Sequence, residues 1–294
     1  MKLTLLTALL FLPAALHAQT SNLGEGDSYA YAANLGWIEM IPSRPSYYDG
    51  VRVSDTILSG FAWSDSTGWI NFGDGTPADG IRYGNTDGSD SGVTHDGAGN
   101  LGGLAWSANL GWINFGWATS SNPNRPRIDL LSGGFTGYAW SANAGWINLN
   151  TGLLKTDTIA ITDVDSDGIS DAWELSRSGR TAILGANRDS DGDGVSDLDE
   201  YRADTNPLSP LGRFEVTGYS GIANGEPATH IDWSVTFSSR PTRLYRLYSS
   251  TNLQTWTPGP LILGSSAAQS TTGATLPISD QQFWRVQAYL PLAP

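Results

Sequence analysis

Twelve acidic residues lie between Asp163 and Asp204, and their spacing is regular. Two twelve-residue segments, 163–174 and 189–200, carry acids at positions 1, 3, 5, 9 and 12 and Gly at position 6. Ca²⁺ takes six to eight oxygen ligands, and alternate Asp side chains around a Gly-permitted turn supply them from one short loop. We therefore expect two bound Ca²⁺ ions. The expected ligands are the side chains at positions 1, 3, 5, 9 and 12 and the backbone carbonyl at position 7: Asp163, Asp165, Asp167, Ile169, Asp171, Glu174, Asp189, Asp191, Asp193, Val195, Asp197 and Glu200.

These two loops depart from an EF-hand, because the apolar residue sits at position 7 and no helix is predicted before Asp163. They resemble thrombospondin type 3 repeats and the related bacterial DxDxDG repeats, and the EYRADTNPLSP segment that follows fits the latter. The resemblance implies structural calcium within a connector over residues 156–210, with one or two short helices. The alternative is a solvated acidic linker without bound metal.

A second pattern is an internal repeat of about 25 residues. The segment GFAWSDSTGWINFG, which begins at Gly60, recurs as GLAWSANLGWINFG and as GYAWSANAGWINLN. Full units span 50–73, 92–116 and 126–150, and a partial copy spans 29–40. The GYAWSxNxGWINF pattern resembles a repeat of many exported bacterial proteins of unknown function. The pattern predicts a Trp-rich β-repeat domain over residues 19–155, in an open or a closed arrangement.

Within each unit, bulky and small side chains alternate, which predicts short strands with one bulky face and one small face. Asn34, Asn109 and Asn143 precede Gly by two residues and are expected to tolerate positive φ in hairpin loops. Eight Trp residues lie in this region, and we expect most of them to pack in the core or between repeats. The alternative is that they stack on glycans. Trp117, outside the repeat pattern, is expected to be more exposed than Trp112.

After Pro210 the sequence returns to strand patterns such as HIDWSVTF and RLYRLYSS. They predict a small β-sandwich over residues 211–294. The stretch from Arg243 to Trp256, with Phe283 to Val286, resembles a fibronectin-type-III-like module. Together the three segments predict a mainly β fold.

Lys2 and the apolar run to Leu16 resemble a signal peptide over residues 1–18, with cleavage before Gln19. We expect a secreted or cell-surface protein without a membrane span in the mature chain. The formal net charge of −13 disfavours nucleic acid as a partner. The absence of Cys excludes disulfides and thiolate chemistry.

Catalytic motifs are not evident in the sequence. Outside the signal segment only His95 and His230 remain, and we expect His95 in a surface or cross-strand position. The sequence favours a non-catalytic structural or adhesive protein in which calcium rigidifies the junction of two β domains. Glycans or other surface or matrix proteins are the expected partners, and the oligomeric state is left open. Carbohydrate binding through the repeat Trp residues is the alternative, and a hydrolase, which requires two carboxylates or a His facing one pocket outside the calcium loops, is less favoured.

Overall fold

The computed structural model describes residues 21–43 and 50–293, excepting the side chain of Asp27. The expected signal segment, residues 1–18, lies outside these residues. The described chain is mainly β with two short helices, which confirms the predicted fold class.

Four antiparallel hairpins form the repeat domain. They are β1–β2, β4–β5, β7–β8 and β11–β12, and their strands span Leu23–Ala32, Gly36–Glu39, Leu58–Ser64, Gly68–Gly73, Leu101–Ser107, Gly111–Asn114, Tyr138–Ser141 and Gly145–Asn148. Short strands accompany them: β3 (Arg52–Val53), β6 (Val93–His95), β9 (Arg127–Ile128), β10 (Phe135–Thr136) and β13 (Leu154–Thr156). The sequence units 50–73, 92–116 and 126–150 contain three, three and four of these strands.

The hairpins close into a ring of eight antiparallel strands. Each hairpin pairs with the next, and the last strand returns to the first through Tyr31 opposite Asn148 and Ala32 opposite Ile147. Of the two arrangements that the sequence leaves open, the structure has the closed one.

Small and medium side chains fill the inside of the ring. In every hairpin an Ala faces an Ile across the strand pair, as Ala62 faces Ile70, and none of these eight residues is more than 3% exposed. An eight-stranded ring has an interior just wide enough for side chains to fill. The bulky side chains of the alternating pattern therefore lie on the outer face. The expectation that most repeat Trp residues are core residues is wrong, because Trp37, Trp106, Trp112, Trp140 and Trp146 are 41–52% exposed.

The hairpin loops are linked sideways around one end of the ring. Each loop has three turn residues followed by a Gly with φ between 74° and 81°, so it is the Gly and not the Asn that adopts positive φ. The Asn side chains instead donate to the neighbouring loop: Asn109 Nδ2 to Thr67 O at 2.8 Å, Asn143 Nδ2 to Leu110 O at 2.9 Å and Asn34 Nδ2 to Ala144 O at 3.1 Å. In the second hairpin, Ser66 Oγ donates to Leu35 O at 2.8 Å. Four hydrogen bonds thus run head to tail around the ring.

The acidic segment folds into two loops, each followed by a helix, α1 (Asp171–Ser178) and α2 (Asp197–Ala203). Ser170 and Ser196 are the N-caps, and their side chains accept from Trp173 N and Asp199 N. A small core of Ile169, Trp173, Leu184 and Tyr201 holds the helices together.

Six strands form the C-terminal module, in two three-stranded antiparallel sheets of order β14-β15-β18 and β17-β16-β19. The strands are β14 (Val216–Asn224), β15 (His230–Ser238), β16 (Leu244–Ser250), β17 (Thr257–Leu263), β18 (Gln269–Pro277) and β19 (Phe283–Tyr289). Phe237 of one sheet packs on Tyr245 of the other with ring centroids 5.2 Å apart, and both are fully buried. The two sheets therefore share a core.

The modules are in direct contact. Leu244 of the C-terminal module belongs to the ring core, and Ile159 N donates to Leu292 O at 2.8 Å. The acidic segment is thus not an extended spacer. In the described part of the chain, neither helix has the length and apolar character that a membrane crossing needs.

Candidate functional site

The two acidic loops have the same backbone conformation. In the first loop, Asp163 accepts from the backbone N–H of Asp167 at 3.1 Å and of Gly168 at 2.9 Å. In the second loop, Asp189 accepts from the corresponding N–H groups of Asp193 and Gly194 at the same distances. Position 6 has φ of 89° in one loop and 93° in the other, a conformation that favours Gly and turns the chain back on itself.

Each loop brings three carboxylates together. Oxygens of Asp163, Asp165 and Asp171 lie within 4.8 Å of one another, and so do oxygens of Asp189, Asp191 and Asp193. Carboxylates this close repel one another unless a cation lies between them. The two clusters are therefore candidate sites for a hard divalent cation.

The Glu at position 12 of each loop is the strongest feature of the site. Glu174 is 0% exposed and Glu200 is 2% exposed. Both oxygens of Glu174 and Oε2 of Glu200 are buried without a hydrogen-bond partner among the described residues. An ionised carboxylate buried without a partner is very costly, so each Glu requires a cation or a proton.

The ionisation of these Glu residues follows from their surroundings. Burial first, and then the negative charges of Asp167 and Asp165, raise the pKa of Glu174 to about 8. Burial likewise raises the pKa of Glu200 to about 7, where a hydrogen bond from Thr205 opposes the effect of the nearby Asp residues. A divalent cation would oppose both shifts, because it pairs with the charged form of each carboxylate.

The structure does not bring every expected ligand into its cluster: Asp167 and Glu174 lie outside the first cluster, and Asp197 and Glu200 lie outside the second. Asp167 of the first loop is not in the three-carboxylate cluster, although its Oδ2 is buried and unpartnered, as is Oδ2 of Asp191 in the second loop. Asp197, at position 9, accepts instead from Ser190 N at 3.0 Å and Ser190 Oγ at 2.8 Å. Asp193 in the second cluster also pairs with Arg213 at 2.9 Å.

Position 7 differs from the carboxylate positions because its carbonyl is the expected ligand. Ile169 is fully buried with its side chain in the helix core, and Val195 is half-buried. The N–H of Ile169 donates to Asp167 Oδ1 at 2.9 Å, and the N–H of Val195 donates to Asp193 Oδ1 at 2.8 Å. In both loops, therefore, the residue at position 7 donates its N–H to the carboxylate at position 5, and the two turns have the same hydrogen bond.

The first loop is tied to the repeat ring. Ser170, between positions 7 and 9, donates its Oγ to Asp55 Oδ2 at 2.5 Å. Asp55 is half-buried, and burial raises its pKa. Ser170, the N-cap of α1, therefore also binds Asp55 of the repeat domain, and this hydrogen bond couples the first loop to that domain.

Asp204 ties the helices to the C-terminal module, and sequence reasoning missed it. It ends α2 with φ 56°, and its carboxylate accepts from Trp173 Nε1 at 2.9 Å and Arg177 Nη2 at 2.7 Å, and from Thr242 Oγ1. Although burial acts to raise it, the charge of Arg243 and these hydrogen bonds keep the pKa of Asp204 below its usual range. An Asp directly after a helix, where Asx residues tolerate the left-handed region, was the available signal.

A cavity of about 260 Å³ lies where the ring, the helices and the C-terminal module meet. His95, Asp55 and Asp204 all line it, so the cavity brings a His and carboxylates together outside the two acidic loops. Each of these side chains has a partner in the fold. Asp55 accepts a hydrogen bond from Ser170, Asp204 accepts one from Arg177, and His95 Nδ1 lies 3.1 Å from Ser54 O. No Ser hydroxyl within hydrogen-bond distance of His95 is found in the described chain.

His95 takes the cross-strand one of its two expected positions. It lies opposite Leu101 in β6–β7, as a cross-strand residue, but it is 1% exposed and so is not on the surface. Burial lowers its pKa, and its Nε2 has no partner among the described residues.

The outer face of the ring carries one aromatic pair per hairpin. Tyr31 and Trp37 lie 5.1 Å apart edge to face, and Trp106 and Trp112 lie 4.8 Å apart. In the fourth hairpin Trp140 lies opposite Trp146, and in the second Trp63 lies opposite Trp69. Trp112 is 41% exposed, whereas Trp117 packs against Trp146 and is half-buried. Trp117 is therefore less exposed than Trp112, and the expectation that it is the more exposed of the two is wrong.

Comparison of the chain with family models, with curated proteins and with solved structures finds no match.

Proposed function

We propose that this chain is a secreted or cell-surface, non-catalytic structural protein whose two calcium ions fix the junction between a repeat ring and a C-terminal β module. The observation that carries the proposal is the burial of Glu174 and Glu200 with unpartnered carboxylate oxygens at the last ligand position of each loop. The resemblance of the loops to thrombospondin type 3 repeats supports the same reading.

The contacts of the loops explain how calcium acts on the junction. The first loop holds the ring through Ser170 and Asp55, and the second helix holds the C-terminal module through Asp204 and Arg243. Carboxylate repulsion opposes both loops when no cation is bound. Bound calcium then stabilises the folded loops, and the contacts of the loops and helices fix the positions of both modules.

Calcium titration of residues 19–294 by isothermal calorimetry tests this function. We expect two ions bound per chain, with slower proteolysis and a higher melting temperature in calcium than in chelator. Glu174→Gln and Glu200→Gln should each remove or weaken one ion, because an amide keeps the size of the side chain but not its charge. Glu215→Gln, on an exposed Glu outside the loops, is the matched control.

The proposal fails if calcium leaves the melting temperature and proteolysis unchanged. It also fails if Glu215→Gln lowers the bound stoichiometry as much as the two loop variants do. An acidic linker without metal would give the first result.

A second candidate function is carbohydrate binding by the ring. The specific observation that favours it is the exposure of the repeat aromatics on the outer face, where three pairs have both rings 39–52% exposed. Such aromatic faces stack on apolar sugar faces and on protein partners. A glycan array probed with the calcium-loaded protein tests this function, and a blank array argues against it.

A further inference from the structure

The exposed aromatic pairs are repeated together with a polar group. On the outer face, an Asn of the preceding hairpin lies directly opposite one aromatic residue of each pair. Asn71 lies opposite Trp106, Asn114 opposite Trp140 and Asn148 opposite Tyr31. Side chains in directly opposed positions of an antiparallel pair have Cβ atoms about 5 Å apart. Each pair and its Asn therefore form one continuous platform.

The three Asn side chains have the same orientation of their amides. Oδ1 accepts from the backbone N–H two residues ahead, at 2.8 Å in Asn71, 2.8 Å in Asn114 and 2.9 Å in Asn148. The amide NH₂ of each has no hydrogen-bond partner within the described residues. An amide with its oxygen fixed in this way presents two N–H donors beside the aromatic rings.

Aromatic faces beside fixed amide donors match the chemistry of a sugar ring. The C–H face of a pyranose is apolar and packs on Trp or Tyr, and its hydroxyl oxygens accept from N–H donors. The chain has a formal net charge of −13, which repels polymers of uronate or phosphate. The platforms therefore favour an uncharged glycan.

Ring closure sets the directions of the platforms. The first and third hairpins are not neighbours in the ring, so they lie on opposite sides, and the fourth lies between them. One rigid glycan surface cannot contact opposite sides of a closed ring at the same time. Separate glycan chains can.

We propose that the platforms at Tyr31/Trp37, Trp106/Trp112 and Trp140/Trp146 are three separate subsites for an uncharged polysaccharide, and that the protein crosslinks its chains. This inference rests on the second candidate function and adds the number of subsites, their residues and the bridging. The pair Trp63/Trp69 is only partly exposed and is not included.

Calorimetry with neutral hexasaccharides of glucose, xylose and mannose, and with a hexagalacturonate, tests the subsites. We expect one of the neutral sugars to bind at about three sites per chain and the acidic sugar not to bind. Trp37→Ala, Trp112→Ala and Trp146→Ala should each lower the number of sites by one. The corresponding neutral polysaccharide should precipitate with the wild type, and a variant with all three changes should not precipitate it.

The amides are tested by Asn114→Asp, which keeps an acceptor for the Gly116 N–H but has no N–H donor of its own, and which should weaken one subsite about tenfold, equivalent to about 1.4 kcal/mol. Asn150→Asp, at an exposed Asn that is not opposite an aromatic ring, is the matched control and should leave the binding unchanged. Near-ultraviolet circular dichroism and melting of each variant establish that the ring remains folded.

The possible results separate the two ideas. A single site per chain that the Trp changes leave intact overturns the three subsites but leaves glycan binding standing. No binding of any neutral hexasaccharide overturns both. If the wild type dimerises in sedimentation and Trp112→Ala does not, a second copy of the chain covers the platform, and the glycan inference is wrong.

Discussion

Trp173 donates its indole N–H to Asp204 Oδ1 at 2.9 Å, and this bond joins the helix after the first acidic loop to the end of the helix after the second. The same carboxylate accepts from Arg177 and Thr242 and lies 4.0 Å from the guanidinium of Arg243. One side chain thus connects both helices to the C-terminal module.

Asp204→Ala should destabilise the protein by about 3 kcal/mol, because it leaves the buried Arg243 without its carboxylate. Urea unfolding in chelator measures the effect. Asp199→Ala breaks an exposed ion pair with Arg202 and should cost less than about 1 kcal/mol. Equal losses in the two variants would contradict the role of Asp204.

Asn109→Ala should lower the free energy of unfolding by about 1 kcal/mol, because the bond from its amide to Thr67 O joins two hairpins. Thermal and urea unfolding provide the measurement. Asn150→Ala, whose side chain makes no hydrogen bond in the described structure, is the matched control. If both variants unfold like the wild type, the loop-to-loop bonds do not stabilise the ring.

Ala105→Leu should destabilise the ring by about 1–3 kcal/mol or more, because Ala105 is fully buried opposite Ile113 and the interior has no room for three more carbons. The exposed turn residue Ala108 gives the control, and Ala108→Leu should stay within about 0.5 kcal/mol of wild type. A stable, well-ordered Ala105→Leu variant would show that the interior is wider than we describe.

The pH dependence of stability should reflect His95. Its folded pKa lies below the ordinary value of 6.5, so the unfolded chain binds more protons near that pH. In excess calcium, where proton uptake by Glu174 and Glu200 does not oppose it, the contribution of His95 to stability is therefore fully present above about pH 7 and is lost as the pH drops through 6.5 toward the folded pKa of His95. The charges near the His95 imidazole act in opposite directions, since Asp96 raises its pKa and Arg82 lowers it. Burial is the largest effect, and it lowers the pKa.

Urea unfolding between pH 5.5 and 7.5 checks this dependence. His95→Asn keeps a donor for Ser54 O but does not titrate, and it should flatten the slope. His230→Asn, on an exposed histidine, should leave the slope as in the wild type. A slope that survives in His95→Asn would assign the dependence to other groups.

Local patterns were readable from the sequence. The hairpins follow from alternation and from Gly at the turns, and the two loops follow from the spacing of Asp, Gly and Glu. The helices after the loops directly follow Ser170 and Ser196, which are ordinary N-cap residues. These features depend on residues close together in the chain, which is why a single sequence contains them.

The non-local features were not readable. Alternation predicts two faces, but it does not say which one is inside, and the bulky Trp face was placed in the core. In a closed ring of eight strands the interior accepts Ala and Ile, so the Trp face is outside. The burial of His95 and the contacts of Asp204 likewise depend on modules that meet only in the folded chain.

The head-to-tail bonds of the hairpin loops also limit how this domain can evolve. A solenoid gains or loses repeats at its ends, which need special capping units. Here Asn34 of the first hairpin reaches Ala144 of the last, so the series has no terminal member. A gene duplication that added one hairpin, or a deletion that removed one, would break the closure instead of lengthening or shortening an array. Copy number is therefore fixed at four, and new properties arise by substitution on the outer face of units whose inner face cannot change.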